Sequence, residues 1–163
     1  MRNVSLLAVA VLGLALIAAT PDKPNLAGTW KVNLSKSNYG MIPPPNSRTD
    51  VVEQKGDDFK ITSDSDLSSG KEHYVLTFTA DAKEVTVPPD SPNAHLGAFN
   101  LKKLKAEWSG PSLIVTETGT LMDIDASLKN VYTLPADGKV LTIASHITLP
   151  MGEMDVTVVS DKQ

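Results

Sequence analysis

Three histidines, scattered acids and many serines are the residues of this chain that could carry chemistry. None of His73, His95 and His146 lies at metal-ligand spacing from another. The stretch DSDLSSG, Asp64 to Gly70, offers oxygens at alternating positions before a glycine. A calcium loop sets glycine sixth and a bidentate glutamate twelfth; here the glycine is seventh and Val75 holds the twelfth place. The stretch therefore reads as a polar hairpin loop. In DID, Asp123 and Asp125 turn two carboxylates outward around Ile124. The serines stand in no nucleophile-elbow motif. Nearly all the acids fall in turns or on wet strand faces, and none stands clearly on an apolar face, where burial would raise its pKa. With no cysteine there is no thiolate nucleophile, disulfide, cysteine-held metal or lipidated amino terminus. The expectation is a chain that is not an enzyme and needs no cofactor.

The elements that would carry these residues are strands. No segment after residue 20 keeps a helical period; short alternating runs are separated by turn residues. In TWKVNL, Trp30, Val32 and Leu34 share a face, and RTDVVEQ is a weaker second strand. Phe59 and Ile61 align in FKIT, and Tyr74, Leu76 and Phe78 align in EHYVLTFTA. The prolines of PPDSPNAHLGAF forbid continuous sheet there. LKKLKAEW turns Leu104, Ala106 and Trp108 one way and Lys103, Lys105 and Glu107 the other. SLIVTET follows, GTLMDID is irregular, and SLKNVYTL leads through PADG, a strong hairpin signal, into KVLTIASHITL. There His146 lies opposite the aliphatic row of Leu141, Ile143, Ile147 and Leu149, which puts it on the outer face. About ten strands with short connections favour antiparallel up-and-down order, and closing such a sheet removes its exposed edges. The expected fold is all-β, an up-and-down barrel of about 8–10 strands; a two-sheet sandwich is the alternative.

Residues 1–19 stand apart. Arg2 precedes the apolar run VSLLAVAVLGLALIAA, Val4 to Ala19, and TPDKPN follows. This is the pattern of a secretory signal peptide, too short for the roughly 20 residues of a spanning helix. Cleavage is expected after Ala19, leaving residues 20–163 as the barrel domain, secreted or periplasmic, with no stable membrane insertion. The mature chain keeps fourteen basic and nineteen acidic side chains, a net charge of −5, which argues against a nucleic-acid partner.

The segment AGTWKVN carries the Gly-x-Trp signature that opens the first strand of lipocalins. Together with LSKSNYG, PPPNS, AEWSGPSLIV and YTLPADGKVLTI, it resembles small exported bacterial lipocalin-like proteins of uncharacterised function. The resemblance implies that Trp30 closes the barrel floor and that SKSNYGMIPPPNS partly caps the mouth. Lipocalins stack a late arginine on this tryptophan. This chain has none after Arg48, so a lysine or an aliphatic residue must cover Trp30. Distantly similar haem-binding barrels use a single late-strand histidine, which makes His146 the residue to watch.

The function expected from this reading is binding. Trp30, Phe59, Tyr74, Leu76, Phe78, Trp108 and Tyr132 are the candidate wall of a pocket for a small hydrophobic molecule in a monomeric barrel. Narrow barrels can instead be filled by their own side chains. The alternative is a solid barrel that acts as a protein-interaction or envelope module through its loops.

Overall fold

The structure is a computed structural model, and it describes residues 23–163. The signal peptide expected over residues 1–19 lies outside the described residues. Eleven strands follow one another among them, with no helix. They are β1 (Gly28–Val32), β2 (Ser47–Lys55), β3 (Asp58–Leu67), β4 (Gly70–Thr79), β5 (Glu84–Thr86) and β6 (His95–Leu96). The second half gives β7 (Phe99–Ser109), β8 (Ser112–Leu121), β9 (Ile124–Thr133), β10 (Val140–Leu149) and β11 (Gly152–Lys162). The count passes the expected eight to ten by one because the proline-rich stretch still forms a two-residue fragment, β6, which pairs with β7 as the short β5 does.

All pairings are antiparallel, in the order β4-β3-β2-β1-β11-β10-β9-β8-β7-β5. Neighbours in sequence are neighbours in the sheet, and β1 joins β11 so that the two halves curl into one all-β barrel. The two ends of this path share no ladder. Asn93 spans the gap instead: its side-chain oxygen accepts from the Thr77 N–H at 2.9 Å and its amide donates to the Thr77 carbonyl at 2.8 Å. One side-chain amide thus does what a neighbouring strand's peptide group would do.

Inward positions follow the period of two. In β8, Leu113, Val115, Glu117 and Gly119 are buried in alternation. The alternation breaks in β7, where Leu101 and Leu104 are both buried, because a bulge between Leu101 and Lys103 shifts the register against β8. Gly119 sits across from it. A Cβ there would stand 2.0 Å from the Asn100 carbonyl oxygen, so only glycine admits the bulged strand.

Two stretches differ from their sequence reading. GTLMDID is not irregular: β8 runs to Leu121, β9 starts at Ile124, and Met122 and Asp123 form the turn with φ of 49° and 66°. Two positive φ angles suit the twist of the flanking strands, but the usual asparagine–glycine signal is missing. DSDLSSG is mostly strand: Asp64 to Leu67 belong to β3, and Asp64 pairs with the exposed His73 at 2.7 Å.

Candidate functional site

Trp30 is fully buried, and its indole N–H donates to the Leu26 carbonyl at 2.9 Å. Gly28, at φ 148°, sets the chain into β1 beside it. The cover that the sequence required is Lys162, whose ammonium stands 5.2 Å from the Trp30 ring centroid. Phe59 and Phe78 stack at 5.1 Å, and Trp108 tilts against Phe59 at 6.1 Å. The Trp108 N–H donates to Asp57 at 3.0 Å. Phe59, Phe78 and Trp108 come from the strand ends at the β2–β3 turn, the β4–β5 connection and the β7–β8 turn, so they pack one end of the barrel.

Beyond them the interior is open. A cavity of about 240 Å³ is lined on its apolar side by Val52, Ile61, Leu76, Leu141, Ile143 and Ile147. Tyr39 and Ile42, from the loop between β1 and β2, also line it. That loop is pinned on β11 by Asn38, which exchanges two backbone hydrogen bonds of 2.7 Å with Thr157. Of the seven wall residues proposed from the sequence, Tyr74, Leu76 and Tyr132 line the cavity. Trp30, Phe59, Phe78 and Trp108 stand in the packed core and not along the opening.

The sequence reading missed a polar group inside the barrel. Directly opposed residues share a face, and Trp30 opposes Asp50, Asp50 opposes Ser63, and Ser63 opposes Tyr74. Arg48, two positions from Asp50 along β2, faces the same way. Its Nε donates to Asp50 at 2.9 Å and its Nη2 to the Tyr74 hydroxyl at 3.1 Å. The Arg48 side chain keeps 23% of its surface accessible against 4% for Asp50, so the guanidinium borders the opening. From the other half, Asn130 accepts from the Ser145 hydroxyl at 2.6 Å.

Glu117 completes the group. Burial raises its pKa to about 7, against the opposing pull of Arg48 and a hydrogen bond with Asn130. Burial also raises the Tyr132 hydroxyl well above its ordinary range, and Glu117 and Tyr74 push it further. Burial opposes the Arg48 charge, but Tyr74 and Asp50 outweigh it and keep the guanidinium protonated. The expectation that no acid stands on an apolar face is therefore wrong for two residues. The signal was present in alternation, since Glu117 continues Leu113 and Val115, and Asp50 precedes Val52.

The histidines lie elsewhere. His146 is on the outer face, with Nδ1 2.8 Å from Asp155, and does not line the cavity. His95 is exposed, with Nδ1 2.7 Å from Asn100.

No protein-family model matches this chain, and no curated protein matches it in sequence. Solved structures do match in shape. The zebrafish ileal bile acid-binding protein complexed with cholic acid superposes with a TM-score of 0.56 at 16% identity, over 85% of this chain and 98% of that one. The fold is that of the lipocalin and fatty-acid-binding barrels. A secretory abundant heat soluble protein from Ramazzottius varieornatus gives 0.56 at 12% identity, over 84% and 94% of the two chains. The Schistosoma mansoni fatty acid binding protein in complex with arachidonic acid gives 0.51 at 14%, over 85% and 96%. At these identities the likeness is one of fold.

Proposed function

We propose that this barrel is a non-enzymatic binding protein that holds one small, mostly apolar molecule inside its sheet. The observation that carries the reading is the cavity of about 240 Å³, apolar on one side and bordered by Arg48, Glu117, Tyr74 and Tyr132. Pockets for drug-sized ligands span roughly 300–1,000 Å³, so the occupant is small or enters only in part. Aliphatic walls supply affinity in proportion to the apolar area removed from water, and the few polar groups orient the occupant. Two of the solved barrels of this shape were crystallised with cholic acid and with arachidonic acid, which supports an interior ligand.

On the reading of residues 1–19 as a leader, the mature chain acts as a monomer in a secreted or periplasmic compartment. Native mass spectrometry of the exported product tests both parts. The expected species starts at Thr20 and carries one small molecule per chain. A cytoplasmic product that begins at Met1 contradicts export. Bare chain under every gentle condition, with no uptake of added apolar compounds, contradicts binding.

A further inference from the structure

The charges inside the cavity narrow its occupant, provided that the cavity is the binding site proposed above. Among the described residues, three charged side chains line it: Arg48, Asp50 and Glu117. Arg48 is the one cation, and it is already engaged, at 2.9 Å with Asp50 and at 3.1 Å with the Tyr74 hydroxyl. A ligand carboxylate would bring a further negative charge to a site whose positive charge is spent on Asp50. Uncompensated buried charge is costly, so such a head is disfavoured. Among the described residues no cation forms an ion pair with Glu117, and only 5% of its surface is exposed.

We infer that this cavity disfavours carboxylate heads and takes an apolar molecule whose head donates hydrogen bonds, an ammonium or a hydroxyl, to Glu117. An ammonium would complete a second ion pair beside Arg48–Asp50 and leave the interior with no net charge. A hydroxyl would leave it neutral with Glu117 protonated. The groups that face Glu117 allow this. Arg48 of β2, Tyr74 of β4 and Tyr132 of β9 couple to it electrostatically, and Asp50 and Asn130 line the same cavity. The head expected here differs from those of the carboxylic acids, cholic and arachidonic, found in complex with two barrels of the same shape.

Octylamine, octanol and octanoate, which share one chain and differ in head, provide the test. Each displaces an apolar fluorescent probe from the mature protein, followed by titration between pH 5 and pH 8. At pH 8, octylamine and octanol should bind at least about tenfold tighter than octanoate. Below about pH 7 the octylamine affinity should fall, approaching about tenfold per pH unit, because binding must then strip a proton from Glu117. The octanol affinity should not fall in step. Glu117→Gln should weaken octylamine at least about tenfold and narrow its lead over octanoate, and should weaken octanol less, because the glutamine carbonyl oxygen still accepts a hydrogen bond. Octanoate binding as tightly as octylamine in the wild type, or a bound probe that none of the three displaces, overturns the inference while the cavity reading stands. Failure of the probe itself to bind overturns both. The wild-type pH profile decides the matter even where the variant does not fold.

Discussion

At the scale of single residues, Glu117 links stability to pH. Its ordinary pKa of 4.5 rises to about 7 in the folded chain because burial disfavours the charged form. Between those values the folded chain keeps a proton that the unfolded chain releases. Stability therefore falls as pH rises through that window and is level above it, by about 3 kcal/mol at most from this group. Glu117→Gln removes the effect while keeping the shape. Urea melts at pH 5 and pH 8 should show the variant gaining on the wild type by roughly 1–3 kcal/mol between the two pH values. An equal difference at both would mean that Glu117 ionises freely in the folded state. Glu117 and Asp50 were legible as inward residues from alternation with Leu113, Val115 and Val52. What sequence could not show is that Glu117 of β8 comes near Arg48 of β2, or that Arg48 reaches the Tyr74 hydroxyl on β4, since those approaches join separate strands.

At the scale of elements, most strands follow from period-two alternation and turn residues, and departures occur where backbone geometry overrides pattern. The β8–β9 turn uses Met122 and Asp123 at positive φ; aspartate tolerates that conformation, but methionine does not announce it. The bulge in β7 gives LKKLK two buried leucines on either side of two wet lysines, a spacing that period two does not produce. Gly119 is its counterpart, and Gly119→Ala measures the bulge. The new methyl would meet the Asn100 carbonyl, so either the bulge or the β7–β8 ladder must shift. A loss of about 1–3 kcal/mol in thermal or urea melts is expected, as for other forced overpacking. A neutral substitution would show that the two strands sit further apart than described.

At the scale of the whole molecule, fold class was readable because eleven short amphipathic strands leave few arrangements that bury every apolar face. Whether the interior is full was not readable. That depends on how far the sheet curls before β4 meets the fragments on β7, and on how much of the bore the Phe59, Phe78 and Trp108 cluster takes up. Four of the seven aromatic and aliphatic residues picked from the sequence went into packing, while aliphatic and polar residues line the opening. The central claim is that this opening binds. Titration of an apolar fluorescent probe into the wild type and into Ile143→Trp, each with its melting curve, tests it most directly. If the cavity is real, the wild type takes up about one equivalent. The tryptophan then occupies part of the opening, weakening the probe at least about tenfold with stability held or raised. If the barrel is solid, the wild type takes up no probe and the substitution overpacks the core, costing about 1–3 kcal/mol.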